Sequence, residues 1–194
     1  MKRILLFIIC VISFLKACDL KTVIPALKDG ELLQIKFTQT KKITGIPKDL
    51  ISSGTVFLTK SKGLRWETYT PFQQSMLIDK TGIYNIVNGK KVLITENKNQ
   101  QANQINGMLS KILIGDFDAL DMFDIHHEIQ HSKAWKKILT PKSNNFKVLK
   151  TLTIEGNTRI NKVIIKRANG DVETIKFYDS KQYSPAVKYL GKFE

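Results

Sequence analysis

Apolar and polar residues alternate with a period of two through most of the segment from Leu33 to Thr81. Successive side chains of a β-strand point to opposite faces, so this period is typical of strands that each bury one face. The pattern continues through Ile83–Val87 and Val92–Thr95. Asn88-Gly89 between these two segments is a strong hairpin signal, because both residues tolerate a positive φ. The chain therefore predicts a mainly β protein built from consecutive hairpins.

The second half adds more strands and one change of period. From residue 100 to 113 the apolar residues recur at helical spacing, with Gln and Asn on the other face, which predicts an amphipathic helix. Leu20, Val23, Ile24 and Leu27 predict a shorter helix before the first strand. We expect an α+β fold, a curved antiparallel sheet with helices on one side. The later strands are predicted at Ile125–Ile129, Trp135–Leu139, Phe146–Ile154, Ile160–Arg167 and Val172–Tyr178.

The N-terminus predicts export. Met1-Lys2-Arg3 and a dozen apolar residues after it have the length of a secretory signal rather than of a bilayer span. We expect a signal peptide over residues 1–17 and a single domain over residues 18–194. Two interpretations of the boundary stay open, ordinary cleavage or lipidation of Cys18. With Cys10 inside the signal, no cysteine pair remains for a disulfide.

The composition is basic, with 31 Lys and Arg against 17 Asp and Glu and a formal net charge of +14. A basic protein of this kind is expected to bind nucleic acid, an anionic membrane surface or an acidic partner protein. Export argues against nucleic acid. Because the cations are scattered over strands and turns, solvated strand faces explain them equally well.

Three short motifs follow one another along the predicted strands. Phe37-Thr38-Gln39 is an F-x-Q strand, Ser52-Ser53-Gly54 a Ser-x-Gly strand, and Leu64-Arg65-Trp66 an L-x-W strand after a basic turn. In this order the segment resembles the LolA family of periplasmic lipoprotein carriers. Trp135 and Leu139-Thr140-Pro141-Lys142 extend the resemblance to a W-x-L-x-P-K type of segment.

The resemblance implies a half-barrel whose concave apolar face is covered by helices and holds the acyl chains of lipoproteins. It implies a monomer without a cofactor, which receives cargo from an inner-membrane lipoprotein-releasing transporter and delivers it to an outer-membrane acceptor. The expected cavity residues are Phe37, Phe57, Leu64, Trp66, Met76, Ile78 and Tyr84. The expected lid and latch residues are Lys60, Arg65, Ile105, Met108, Leu109 and Ile112.

The latch is one of two places where the chain departs from the family; the other is Asp79-Lys80-Thr81-Gly82-Ile83-Tyr84, where the family often carries Asp-Gly and Trp-x-Tyr. Lys60 stands where the family carries a functional Arg, and a Lys keeps the charge but lacks the planar fork that can bind two carbonyls. A latch at this position is expected to be looser, or to depend on Arg65.

His127-Glu128-Ile129-Gln130-His131 matches the H-E-x-x-H motif of zinc peptidases. The motif needs a helix, because only there do residues i and i+4 share one face and one metal. Alternation around Ile125 and Ile129 predicts a strand instead, on which the two His would be roughly 13 Å apart. We therefore expect no zinc site.

Four acids lie close together in the sequence: Asp116, Asp118, Asp121 and Asp124. They lack the order of a calcium loop, and we expect them to cap local backbone groups and to be solvated. No catalytic frame is recognisable in the sequence, and we expect a protein that is not an enzyme. Three functions remain in order: a soluble periplasmic carrier, an acceptor or lipid sensor anchored through Cys18, and a zinc peptidase.

Overall fold

A computed structural model gives the structure for residues 27–94, 100–113, 117–131, 134–142 and 147–185, with residues 191 and 193. These residues form eleven strands, one α-helix and a 3-10 turn. In chain order the elements are β1 (Leu32–Lys42), β2 (Leu50–Thr59), β3 (Gly63–Thr70), β4 (Gln74–Asp79), β5 (Gly82–Val87), β6 (Lys90–Leu93), α1 (Gln100–Leu113), the 3-10 turn (Phe117–Leu120), β7 (Phe123–His131), β8 (Ala134–Pro141), β9 (Leu149–Gly156), β10 (Ile160–Arg167) and β11 (Val172–Tyr183).

The strands form one open antiparallel sheet in the order β6-β5-β4-β3-β2-β1-β11-β10-β9-β8-β7. β1 to β6 are successive hairpins that lead to one edge. β7 to β11 return from the other edge and place β11 beside β1. The connection from β6 to β7 must therefore cross between the two edges, and α1 lies within it. Its 14 residues span about 21 Å at 1.5 Å per residue.

The register sorts the strand side chains onto two faces. Val56 pairs with Trp66 and Trp66 with Met76, which gives a row on one face. The adjacent row, with Phe57 and Leu77, points to the other face. The first face carries the main core cluster, which includes the buried residues of α1. We call it the pocket face, because the helix and the pocket described below both lie on it.

The opposite face is also partly covered. Phe193, near the C-terminus, is buried there against the sheet. This second cluster contains Leu32, Phe57, Leu77 and Phe193, with Tyr84, Ile86 and Tyr183 packed around it. Both faces of the sheet therefore carry large apolar side chains.

Two local predictions are confirmed. The amphipathic helix has the predicted bounds, Gln100–Leu113. Asn88 and Gly89 have φ values of 50° and 74° and connect Val87 to its partner Lys90, so β5 and β6 form the two-residue hairpin that the sequence indicates.

Other predictions fall partly or wholly outside the described residues. The predicted N-terminal helix is described only at Leu27, which is buried in the main core cluster outside any helix or strand. The signal peptide over residues 1–17 and Cys18 lie outside the described residues. The strand predicted from Phe146 begins at Leu149, and residues 143–146 are likewise not described.

Candidate functional site

Helix α1 and the pocket face enclose a half-open pocket with a volume of about 250 Å³. Strands β1, β3, β4, β10 and β11 supply the rest of its wall. The apolar lining residues are Leu64, Trp66, Met76, Ile78, Leu109 and Ile175, and the polar ones are Gln39, Lys41, Thr68, Gln74, Ser110, Arg167 and Glu173.

An aromatic stack supports the apolar part of the pocket. The rings of Phe37 and Trp66 lie 4.4 Å apart at 48°, and Phe177 meets Trp66 edge-on at 6.2 Å. Phe37 is fully buried, whereas Trp66 is only partly buried and lines the pocket. Aromatic pairs of this kind contribute about 0.5–1.5 kcal/mol beyond their buried area. The stack therefore fixes the indole of Trp66 at the pocket wall.

The F-x-Q and Ser-x-Gly motifs meet across the sheet. Phe37 of the F-x-Q strand pairs with Gly54, and Gln39 pairs with Ser52, so F-x-Q lies directly beside Ser-x-Gly. The Ser52 hydroxyl donates a 2.9 Å hydrogen bond to Oε1 of Gln39. Gly54 leaves room for the ring of Phe37, because a Cβ on Gly54 would lie 2.9 Å from Cε1 of that ring.

A polar network occupies the other end of the pocket. The Gln39 amide donates to Oε1 of Glu173. Nη2 of Arg167 donates to Oε2 of the same carboxylate at 2.9 Å. The Glu173 side chain is 9% exposed and that of Arg167 is 24% exposed. Both carboxylate oxygens thus have partners, and the charge of a buried acid is balanced by a guanidinium.

Helix α1 presents its apolar side to the sheet. Ile105, Met108, Leu109 and Ile112 are all at most 6% exposed and belong to the main core cluster. Leu109 and Ser110 also face the pocket. The helix therefore forms one wall of the pocket and covers apolar strand residues at the same time.

Five of the residues predicted for the cavity and the lid line this pocket together: Leu64, Trp66, Met76, Ile78 and Leu109. Phe37 lies behind the pocket wall in the aromatic stack. Ile105, Met108 and Ile112 are buried in the same cluster, between the helix and the sheet.

The structure corrects the expected positions of Phe57 and Tyr84. Leu77 pairs directly with Tyr84, so Tyr84 shares the row of Phe57 on the face that points away from the pocket. The alternation of strand side chains places them there, since Phe57 is one residue from Val56 and Tyr84 is one residue from Ile83. Tyr84 packs around the cluster that contains Phe193 instead of lining the pocket.

Arg65 also lies on the face away from α1. It pairs with Phe57 and Leu77 in the register, and its Nε lies 3.0 Å from Oε1 of Glu67 on the same strand. Lys60 lies in the β2–β3 turn, where its ammonium is 3.3 Å from Oδ2 of Asp29. The expectation that Arg65 contributes to a lid latch is therefore corrected, and the latch role of Lys60 stays a prediction.

Sequence reasoning did not select the charged residues of the pocket. Gln39 appeared there only as part of the F-x-Q motif, and Lys41, Arg167 and Glu173 were not proposed as site residues. The register was the missing information, because Glu173 lies 134 residues from Gln39 in the chain. Gln39 and Lys41 follow Phe37 at i+2 and i+4 on β1. This period of two is the one signal that could have placed them on the pocket face.

The segment of the H-E-x-x-H motif is an edge strand. His127 to His131 belong to β7, which pairs with β8. The strand prediction is therefore confirmed, and the helix that the zinc motif needs does not form. Within the described ranges, no group of three or more His, Cys, Asp or Glu side chains could hold a metal ion. The helix described in the structure is not long and apolar enough to cross a membrane.

These features define a class of protein: an open antiparallel sheet with a partly enclosed apolar pocket beneath one amphipathic helix. The chain belongs to the LolA family, because the family described as outer membrane lipoprotein carrier protein LolA matches residues 30–192.

Solved structures give the following comparisons. A LolA superfamily protein, NE2245 from Nitrosomonas europaea, is 10% identical with a TM-score of 0.49, over 88% of this chain and 94% of that chain. MucB in the MucA/MucB complex of Pseudomonas aeruginosa is 13% identical with a TM-score of 0.44, over 84% of this chain and 55% of that chain. A putative outer membrane lipoprotein-sorting protein domain from Vibrio parahaemolyticus is 6% identical with a TM-score of 0.32, over 80% of this chain and 87% of that chain. No curated protein matches this chain.

Proposed function

We propose that this chain is a periplasmic lipoprotein carrier that binds acyl chains in the pocket beneath α1. Membership of the LolA family supports the class of cargo. In this proposal the domain is a monomer that takes lipoproteins from an inner-membrane releasing transporter and passes them to an outer-membrane acceptor. It is a binding protein and not an enzyme.

The observation that carries the proposal is that α1 and the pocket share one apolar surface. Leu109 belongs to the main core cluster and also lines the pocket beside Trp66 and Met76. The pocket volume of about 250 Å³ is below the range of about 300–1,000 Å³ usual for small-molecule sites. In this proposal α1 shifts when a whole acyl chain enters and acts as a lid.

The energies of helix and acyl chain are close enough for exchange. Burial of one large apolar side chain stabilises by about 1.5–3 kcal/mol, so the five large apolar side chains of α1 that are described as buried contribute roughly 8–15 kcal/mol. An acyl chain of about 15 methylenes gains roughly 12 kcal/mol at about 0.8 kcal/mol each. One bound chain can thus replace the contacts of the helix.

The test is binding of a triacylated lipopeptide to matched variants. Met76→Glu places a carboxylate in the pocket, and we expect at least a tenfold loss of affinity because a buried charge without a partner is costly. Val92→Glu is the control. Val92 lies in the same cross-strand row on the edge strand β6, is 51% exposed and does not line the pocket.

Trp66→Glu extends this test to the centre of the pocket. It should abolish lipopeptide binding while circular dichroism shows a folded protein. Equal affinity of the Met76→Glu and Val92→Glu proteins would contradict the proposed site, and loss of the fold in Trp66→Glu would assign Trp66 to the core instead.

A lipid-anchored acceptor or sensor with the same pocket is the second candidate, because Cys18 directly follows Leu15-Lys16-Ala17. The mass of the mature N-terminal peptide separates the two. A diacylglyceryl group on Cys18 would favour the anchored acceptor, and an unmodified N-terminus the soluble carrier.

A further inference from the structure

The pocket changes in polarity along the strands. At one end Leu64 and Ile78 pair across β3 and β4, and at the other end Lys41 and Glu173 pair across β1 and β11. Thr68 lies between them on the same face. The two ends are about eight strand residues apart, or roughly 26 Å at 3.3 Å per residue. The pocket is thus apolar at one end and charged at the other, as an amphiphile is.

Among the residues that line the charged end, cations outnumber acids. Arg167 and Lys41 are cationic, and Glu173 is the acid that faces them. Both oxygens of the Glu173 carboxylate already accept hydrogen bonds, from Gln39 and Arg167. A guanidinium has five N–H donors, and the contact with Glu173 is made through Nη2. Lys41 is exposed at the rim and adds three more donors.

We propose that Lys41 and Arg167 form a head-group site for an anionic single-chain amphiphile whose acyl chain extends toward Leu64 and Ile78. This inference rests on the proposed acyl-binding function and goes beyond it, because it names a second class of ligand for the same pocket, the orientation of its chain and the chemistry of its head. The head is an oxyanion next to an acyl or alkyl chain, either the carboxylate of a fatty acid or the phosphate of a single-chain phospholipid. Glu173 and Gln39 position the guanidinium of Arg167.

Displacement of a neutral fluorescent hydrophobic probe from the protein tests the acyl-binding pocket and the head-group site separately. The competitors are hexadecanol, palmitate, hexadecyl phosphate and hexadecylamine, each below its critical micelle concentration or, for hexadecanol, below its solubility limit. All of them carry a 16-carbon chain, so hexadecanol reports the apolar pocket alone. We expect palmitate and hexadecyl phosphate to bind about tenfold more tightly than hexadecylamine, because charge-assisted hydrogen bonds form only with the anions. The anion that binds more tightly shows whether the head group is the carboxylate of a fatty acid or the phosphate of a phospholipid.

Three variants separate the head-group site from the rest of the pocket. Lys41→Gln removes one exposed cation and leaves the network with Glu173 intact. Arg167→Gln combined with Glu173→Gln removes the second cation without leaving a buried acid unpaired. Lys166→Gln is the control with the same charge change as Lys41→Gln, on an exposed residue beside Arg167 that points to the other face.

We expect each site variant to lower the affinity for palmitate severalfold and to leave that for hexadecanol unchanged, while Lys166→Gln changes neither. Thermal unfolding of each variant confirms that it is folded. Failure of hexadecanol to displace the probe would contradict the acyl-binding function itself. Displacement by hexadecanol together with equal affinities for palmitate and hexadecylamine would overturn the head-group site alone.

Discussion

Phe37 lies directly across the β1–β2 pair from Gly54, and its ring covers the position that a side chain on Gly54 would occupy. A Cβ there would lie 1.8 Å from the backbone oxygen of Glu67 and 2.9 Å from Cε1 of Phe37. The backbone oxygen cannot move without disturbing the β2–β3 ladder. The glycine of the Ser-x-Gly strand is therefore required by the close approach of the Glu67 backbone and, next to it, by packing against the ring of Phe37.

Gly54→Ala should therefore destabilise the protein by about 2–3 kcal/mol, the cost of overpacking in a dense core. Urea unfolding measures the change. Gly107→Ala is the control of opposite sign, because Gly107 is within α1 and a Cβ there meets nothing within 4 Å. Alanine should stabilise that helix position by about 0.5–1 kcal/mol. A Gly54→Ala protein whose free energy of unfolding lies within about 0.5 kcal/mol of wild type, the range of an ordinary surface substitution, would contradict the packing account.

A second prediction concerns acid stability through Glu155. Its carboxylate lies 3.2 Å from Lys136 and 2.5 Å from Lys162 on the two flanking strands. Partial burial acts to raise the pKa of Glu155, but the hydrogen bonds from Lys162 and Lys136 outweigh it and lower the pKa below its ordinary value of 4.5. A lowered folded-state pKa contributes stability above the unfolded pKa, and this stability is lost as the pH falls through the folded pKa.

Glu155→Gln should thus cost about 0.5–1 kcal/mol at pH 7, the usual range for partly exposed ion pairs. The difference from wild type should shrink below pH 4.5 and vanish once the carboxyl is protonated. Chemical unfolding of both proteins at several pH values measures this difference in the free energy of unfolding. A difference that stays constant down to the acid limit would show that the ion pairs do not cause it.

The third prediction is that the H-E-x-x-H motif performs no zinc chemistry. On the edge strand β7, His127 and His131 are four residues apart, or roughly 13 Å along the strand. Alanine at His127, Glu128 or His131 should leave lipopeptide binding unchanged and stability within about 0.5 kcal/mol, because the sequence predicts solvated side chains at these positions. Stoichiometric zinc in the purified protein that is lost in His131→Ala would contradict this and favour a peptidase.

The strands, the Asn88-Gly89 hairpin and the helix over residues 100–113 could be predicted because each depends on local periodicity or turn chemistry. The face of Phe57 and Tyr84 could not. Both faces of the sheet are apolar, and the cover over the second one comes from Phe193, more than 100 residues further along the chain. Hydrophobicity alone does not tell which of two apolar faces holds the pocket.

The polar end of the pocket could not be predicted from the sequence, for a related reason. Gln39, Arg167 and Glu173 form one network only because β11 returns to pair with β1. Nothing local to Glu173 distinguishes it from the solvated acids elsewhere in the chain. Order in the sheet, and not the sequence pattern, brings these side chains together.

The central claim is that α1 is displaced when an acyl chain enters the pocket beneath it. Hydrogen exchange of the protein, with and without a saturating triacylated lipopeptide, tests it most directly. The account predicts that amides in Ile105–Leu113 lose protection when the lipopeptide binds, while amides of the β1–β11 pair keep theirs. Equal protection of α1 in both states, with the lipopeptide bound, would contradict the displacement of the helix by cargo.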